Sequence, residues 1–377
     1  MGKKINAALV GLGFGGAFAE IYKNHPDVRS IGIYDINREV SKNVSDYTGI
    51  EKIYDSFDEI LGDKDLDAVH LVTPIPQHED QAVRVLEAGK HCACTVPMAV
   101  SLDGIRRITE AKRRSGKNYM MMETTLYTYQ YFYVKELIAR GKIGKIQFMR
   151  GSHYQDMANW PDYWMGLPPM WYGTHAIAPM AALSGSRIKR VNCFGSGTMA
   201  EWLTKQYGNP YPLESALLEF ENGMKGEATR SLFETAREYQ EGLFVYGSDG
   251  SFEWGFRDHD APYFTAAIRA EYGRRGGGTR TEIVDLPNYH QLLPDGIRRF
   301  TVGGNYDPLN PQESLKKGAG GGHHGSHAHL VHEFVRSIIE GRKPQIDEVL
   351  GGNITAAGIC AHESAMKNGE SVIVPEF

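Results

Sequence analysis

Cysteine is scarce, neither sign of charge is in excess, and no long apolar run occurs in these 377 residues. Cys92, Cys94, Cys193 and Cys360 are too few and too scattered for a disulfide framework, and none has zinc-knuckle spacing, so a reducing, cytoplasmic setting is expected. Lys plus Arg number 41 and Asp plus Glu 46, a formal net charge of −5. Such a chain has no bulk attraction for phosphate backbones or anionic lipid, which argues against nucleic-acid and membrane partners. No stretch approaches the roughly 18 apolar residues that a membrane helix needs. Glycine, by contrast, is plentiful at 43 residues, and its placement carries the first functional signal.

Lys3 and Lys4, the apolar stretch from Ile5 and the segment Ala17-Phe18-Ala19 imitate a secretory signal. The intervening glycines would weaken the helix a signal core tends to form. The stretch therefore reads as a buried strand, Ile5–Val10, a glycine turn and a helix. From there to about residue 123, short apolar strands (30–34, 68–73, 91–95, 119–123) alternate with helical segments (17–24, 38–47, 77–88, 102–115). That alternation implies βαβ units and a parallel sheet covered on both faces. A further helix, 131–140, leads into closely spaced strands joined by short turns, 146–153, 190–195, 216–221, 226–231, 243–246, 250–254 and 282–285, which predict a mainly antiparallel sheet. Two helices, 327–340 and 352–366, precede a last strand, 371–374. The expected class is α/β: a Rossmann dinucleotide-binding domain over 1–124, then an α+β domain over 125–377 for substrate binding and oligomerisation. Within the latter, 286–326 is a Gly/Pro-rich lid or arm. One run of strands with too few helices to cover both faces predicts a homodimer or homotetramer through the open sheet.

The loop Gly11-Leu12-Gly13-Phe14-Gly15-Gly16 follows a strand and opens a helix, and Asp35 lies nineteen residues after Gly16 at the end of the next strand. Gly11 permits the tight turn, Gly13 lets a pyrophosphate approach the backbone, and Gly16 lets helix and strand pack closely. The helix N-terminus offers N–H groups and partial positive charge to the phosphates. Asp35 would accept from ribose hydroxyls and repel a 2′-phosphate, favouring NAD over NADP; Arg38 nearby would soften that preference.

Together with Thr73-Pro74-Ile75-Pro76-Gln77-His78, the Gly89-Lys90-His91 approach to a strand, the 135–144 segment and the C-terminal helices, this order of elements resembles the Gfo/Idh/MocA oxidoreductase family over essentially the whole chain. The resemblance implies that Thr73, Pro74 and His78 neighbour the cofactor, as do Thr95, Val96 and Pro97. It also exposes two departures. The family's Glu-Lys-Pro triplet, with its catalytic lysine, aligns with Thr95-Val96-Pro97, and its Asp four residues before the catalytic histidine aligns with Trp171. The histidine is kept as His175. The segment Trp171-Tyr172-Gly173-Thr174-His175 is similar to the Tyr-x-Thr-His segment of glycoside hydrolase family 109, which holds NAD tightly and uses it to break glycosidic bonds. That implies oxidation at a sugar C3, loss of the acidified C2 proton, departure of the C1 substituent, addition of water, and return of the hydride to C3.

His175 suits the role of base because an imidazole titrates near working pH. Tyr172 would need a nearby cation. Glu123, Trp160, Trp171 and His327 are candidate substrate contacts, with a satisfied carboxylate as the other reading of Glu123. His323, His324, His327, His329 and His332 crowd together without a carboxylate or thiolate close in sequence, so no metal site is assigned. Three functions stay open: an NAD-dependent oxidoreductase acting on a secondary hydroxyl, at C3, of a carbohydrate or glycoside; a redox-assisted glycosidase or lyase; and a non-catalytic dinucleotide-sensing regulator.

Overall fold

Strands β1 (Ile5–Val10), β2 (Val28–Tyr34), β3 (Lys52–Ile53), β4 (Ala68–Leu71), β5 (His91–Cys94) and β6 (Tyr119–Met121) form one sheet in the order β3-β2-β1-β4-β5-β6, every pair parallel. The computed structural model that shows this describes residues 2–257, 260–302, 310, 313 and 322–377. Helices α1 (Gly16–Asn24), α2 (Arg38–Thr48), α3 (Phe57–Gly62), α4 (His78–Glu87) and α5 (Leu102–Ser115) connect the strands. All of β4 and nearly all of β1 is buried, because helices cover both faces of a parallel sheet. Helix ends follow local chemistry. Asn37 caps α2 by accepting from the Glu39 N–H, Ser101 caps α5 by accepting from the Gly104 N–H, and both helices stop at a left-handed glycine, Gly49 and Gly116. The order reverses between β1 and β4, the place where an open α/β sheet leaves a ligand crevice at its carboxyl edge.

The second sheet takes β7 (Ile146–Tyr154), β8 (Ile188–Ser196), β9 (Leu213–Phe220), β10 (Lys225–Ser231), β11 (Gln240–Gly247), β12 (Gly250–Glu253), β13 (Tyr263–Ile268), β14 (Gly278–Ile283) and β15 (Val372–Ile373). Its order is β14-β13-β12-β11-β7-β10-β9-β8-β15, and every pair is antiparallel except β7 with β10. The remaining helices are α6 (Tyr129–Ala139), α7 (Thr174–Ser184), α8 (Glu201–Thr204), α9 (Asp295–Arg298), α10 (Gly322–Glu340) and α11 (Glu348–Met366). Helix α7 lies on β7 and β10. A Cβ on Gly151 would sit 1.8 Å from the Ala176 carbonyl oxygen, and one on Gly226 would sit 2.9 Å from Met180 Sδ, so these two strands approach the helix only through glycine.

The α/β class with a Rossmann sheet and a second, mainly antiparallel sheet is the one expected. The chain groups into two units, Met1–Thr128 with Asn288–Gly352 and Phe377, and Tyr129–Pro287 with Asn353–Glu376. Residues 288–352, assigned to the second domain by a linear division at 124/125, therefore group with the Rossmann unit, where α10 packs on α1. Of the expected lid at 286–326, residues 303–309, 311–312 and 314–321 lie outside the described residues, and the rest includes α9 and two short 3₁₀ turns. His323, His324 and Gly325 have positive φ, so right-handed helix in α10 starts at Ser326. Ser326, which reads as an N-cap, has its hydroxyl buried with no hydrogen bond among the described residues, so it makes no cap.

Candidate functional site

In the Rossmann unit the glycine loop closes on itself. Gly11 has φ +85°, and a Cβ there would lie 2.4 Å from the Val72 carbonyl oxygen. Gly15 makes the close approach, since its Cβ would fall 2.0 Å from the Gly11 carbonyl oxygen. A Cβ on Gly13 would meet nothing within 4 Å, so no protein atom fills the space beside it. Gly15, the N-cap residue of α1, makes no side-chain cap to that terminus. Asp35 holds the loop, with Oδ2 accepting from the Leu12 N–H at 2.7 Å and Oδ1 from the Asn37 N–H at 2.8 Å. A carboxylate has about four lone-pair sites, so two such bonds leave capacity for ribose hydroxyls. Arg38 is paired with Asp55 at 2.6 Å on the surface. An open space at Gly13, just before α1, and an anchored acidic residue fit a dinucleotide.

Thr73 donates to Gln81 Oε1 at 2.6 Å, and Pro74 precedes the 3₁₀ turn Ile75–Gln77. His78 lies between the two segments expected beside the cofactor. It is fully buried, with Nδ1 2.8 Å from the Pro97 carbonyl oxygen and Nε2 2.9 Å from that of Thr73, and Thr95 Oγ1 lies 3.4 Å from Nε2. Burial holds its pKa below the ordinary imidazole value, against the pull of the two carbonyls. The neutral ring therefore donates through one nitrogen and ties the Thr73-Pro74 turn to the Thr95-Val96-Pro97 segment. Val96 is buried and apolar. Glu123 is likewise not available to a substrate: it is buried and caps the turn Thr124–Tyr127, accepting from the Thr125 N–H at 3.1 Å and hydroxyl at 2.9 Å. His327, expected at a sugar hydroxyl, belongs to the Rossmann unit and packs its buried ring on Phe14 and Phe18, centroids 5.6 and 4.6 Å away.

His25, His70 and His329 of that unit are also buried, and among the described residues no group of three His, Cys, Asp or Glu side chains is placed to hold a metal ion. His25 Nε2 lies 2.9 Å from His332 Nδ1. Burial pushes His25 down to about 4, His70 to about 3, His91 to about 4 and His329 to about 3. Unfolded histidine titrates near 6.5, so below that pH the unfolded chain binds protons that the folded unit refuses. Stability from these groups is complete above pH 6.5 and falls away as the pH drops toward their folded values. The melting temperature of the Rossmann unit is expected to fall by several degrees between pH 7.5 and 5, measured in buffers of equal ionic strength; a flat profile would contradict it.

The second unit brings Tyr172 and His175 together. Tyr172 ends the 3₁₀ turn Pro169–Tyr172 and His175 sits in the first turn of α7, which places Tyr172 Oη 3.5 Å from His175 Nε2. Beneath them lie residues that did not stand out in the sequence. Register pairs Arg230 of β10 with His153 of β7, and His153 with Glu241 of β11. The His153 ring packs edge-on against His175 with centroids 4.7 Å apart. Arg230 Cζ lies 5.3 Å from the Tyr172 ring centroid. Glu241 Oε1 lies 3.8 Å from His175 Nδ1 and accepts from the Tyr239 hydroxyl at 2.6 Å. The sheet thus places a guanidinium against the Tyr172 ring. A signal was present: Arg230 falls in phase with Gly226 and Ala228, His153 with Met149 and Gly151, and Glu241 with Leu243 and Val245, each an ionisable group on the buried phase of its strand.

Trp164 packs edge-on against Tyr172 at 4.8 Å, and Trp160, 38% exposed, packs on Trp164 at 5.9 Å. Trp171 is half-buried, its ring packs against both Tyr207 and His362, 5.9 Å from each, and its indole nitrogen is buried.

Residues 5–123 match the model of an oxidoreductase family with an NAD-binding Rossmann fold (GFO_IDH_MocA), and residues 131–253 match the GFO/IDH/MocA C-terminal domain. A glycosyl hydrolase family 109 protein of Bacteroides thetaiotaomicron is 23% identical over 366 residues, covering 84% of this chain and 73% of its own. Another, of Shewanella pealeana, is 23% identical over 369 residues, covering 93% and 78%. Among solved structures, levoglucosan dehydrogenase in complex with NADH and levoglucosan superposes with a TM-score of 0.78 at 22% identity, covering 99% of this chain and 100% of that one. Myo-inositol 2-dehydrogenase from Lactobacillus plantarum gives 0.73 at 17%, covering 99% and 100%. At these identities the solved structures establish the fold alone.

Proposed function

Because the chain belongs to the Gfo/Idh/MocA oxidoreductase family, we propose that it is an NAD-dependent enzyme oxidising a secondary hydroxyl, at C3, of a carbohydrate or glycoside. The Rossmann unit binds the dinucleotide through the loop Gly11–Gly16 and Asp35, and bound NAD supplies a hydride acceptor. The second unit supplies proton handling. One observation carries this reading: although Val96 stands where the family has its lysine, Tyr172 and His175 lie 3.5 Å apart, flanked by buried Arg230, His153 and Glu241. A hydroxyl that loses its hydride becomes strongly acidic, and a phenol–imidazole pair beside a cation and a carboxylate can take its proton. The half-exposed Trp160, stacked on Trp164, offers a face to a sugar ring. Such a site also argues against a purely sensing role, which needs no acid–base pair.

The names of the family 109 relatives and the Tyr172-Gly173-Thr174-His175 segment favour a second reading, in which the hydride returns and the net reaction is loss of the glycosidic bond. Incubation with aryl glycosides separates the two. The oxidoreductase accumulates reduced nicotinamide with no aglycone, and the glycosidase releases aglycone without net reduction. Neither signal from any sugar would reject both.

We propose a cytoplasmic homodimer or homotetramer. No described helix is long and apolar enough to cross a membrane, and the four cysteines are free and buried. Phe194 of β8, Leu217 of β9 and Ile373 of β15 share one sheet face and are 62%, 56% and 69% exposed, an apolar surface suited to a second copy. Light scattering at micromolar concentration is expected to give at least twice the 42.0 kDa chain mass; a monomer rejects the assembly.

A further inference from the structure

Four neighbouring strands, β9, β10, β7 and β11, each carry one ionisable side chain in a single row: Glu214, Arg230, His153 and Glu241. All four are at most 1% exposed. Burying charge is costly unless it is paired, and a sheet needs none of it. Glu214 is occupied, accepting from the Met170 N–H at 2.8 Å with His362 Nδ1 at 2.7 Å. Arg230 donates from Nε to the Tyr172 carbonyl at 3.0 Å and from Nη1 to the His153 carbonyl at 3.1 Å, which fixes its plane beneath Tyr172. Burial pulls its guanidinium down to about 10, opposed by Tyr172, Tyr239 and Glu241, so it stays charged at neutral pH.

We propose that Glu241 and Arg230 are the positioning residues of this site, Glu241 holding His175 with its proton on Nδ1 so that Nε2 accepts, and Arg230 holding Tyr172 and favouring its oxyanion. They supply the charges that Val96 and Trp171 do not, and the inference rests on the reading of Tyr172 and His175 as the acid–base pair. In the oxidation, the substrate hydroxyl proton passes to Tyr172 Oη and the phenol proton to His175 Nε2. The carbinol hydrogen leaves with both electrons to the oxidised dinucleotide, and the carbinol becomes a ketone. The imidazolium so formed lies 3.8 Å from the Glu241 carboxylate. That separation exceeds a hydrogen bond, as is common for catalytic contacts before substrate binds. Among the described residues, the ionisable groups facing the pair include His153 of β7, Arg230 of β10, and Tyr239 with Glu241 at β11.

The test uses NAD-loaded protein with ¹⁵N-labelled histidine, followed by NMR, with His175→Gln assigning the resonance. Wild type is expected to show His175 protonated on Nδ1; a proton on Nε2 overturns the proposal without any variant. In Glu241→Gln the His175 proton is expected to lose its preference for Nδ1, and in Glu241→Asp to regain it. In Arg230→Met, ultraviolet titration referenced to Tyr172→Phe is expected to place the Tyr172 phenol about one unit higher, with Arg230→Lys intermediate. An unchanged His175 tautomer in folded Glu241→Gln, or an unmoved phenol in folded Arg230→Met, overturns the assignment. The readouts need no turnover, so failure of wild type to oxidise any sugar would reject the proposed function while leaving these results to stand or fall separately.

Discussion

Gly13→Val is expected to leave the melting temperature of the ligand-free protein nearly unchanged and to weaken NAD binding by about a hundredfold or more. The first half follows from packing, since a Cβ at Gly13 meets nothing within 4 Å and no neighbour has to move. The second half follows from what that space is for. A pyrophosphate approaches the backbone of this loop at the start of α1, and a branched side chain would occupy the approach. A hundredfold in Kd is about 2.7 kcal/mol, a modest figure for excluding a phosphate from its backbone donors. Gly15→Val makes the control, because its Cβ would fall 2.0 Å from the Gly11 carbonyl oxygen and must disturb the turn itself. That variant should lose stability as well as binding. Isothermal calorimetry and thermal melting decide the matter, and unchanged affinity in Gly13→Val would remove the dinucleotide from this loop.

His175→Ala is expected to lower kcat by about a hundredfold or more, the usual worth of a general base, whereas Val96→Lys is expected to add no activity. His175 is buried against His153, with Nε2 3.5 Å from the Tyr172 hydroxyl and Nδ1 3.8 Å from the Glu241 carboxylate. Removing the ring takes away the imidazole 3.5 Å from the Tyr172 hydroxyl. Val96 stands in a buried, apolar position, and a lysine there takes an ammonium out of water. Its desolvation cost is recovered only by a carboxylate partner. Val96→Lys should therefore bind NAD less well or turn over more slowly. Steady-state kinetics on the best sugar checks both. A Val96→Lys gain in sugar oxidation, or wild-type turnover in His175→Ala, would show that the acid–base work is done elsewhere.

The Rossmann sheet was readable because its strands are short apolar runs punctuated by caps: Ile5–Val10 and Leu102–Ser115 fall where the pattern puts them. Strand β3 has two residues, and α3 has six, too few for any period to register. Helix α7 was hidden by its own composition. It is apolar nearly all round, starts after Gly173 and carries Pro179, so it shows neither an amphipathic stripe nor an uninterrupted helical run. Strand β13 was missed, and β14 begins earlier than its hydrophobic signal because it is exposed along its whole length. Within the site, Tyr172 and His175 were legible from three-residue spacing and family position. Arg230, His153 and Glu241 lie on separate strands, and only strand register brings them into one row. Glu123, His78 and His327 looked functional in one dimension and are claimed by capping, loop tethering and aromatic packing in three.

The proposed reaction is oxidation of a sugar hydroxyl by bound NAD, with Tyr172 and His175 taking the proton. It is tested most directly by mixing NAD-saturated protein with each member of a panel of anhydrosugars, inositols and glycosides in a stopped-flow instrument, and following the absorbance of reduced nicotinamide in a single turnover. The account predicts a burst of reduced nicotinamide with at least one sugar, approaching one equivalent per site, and its loss by about a hundredfold in rate in His175→Ala. No burst with any sugar in protein that calorimetry shows to be loaded with NAD, or a burst of equal rate in His175→Ala, would contradict it.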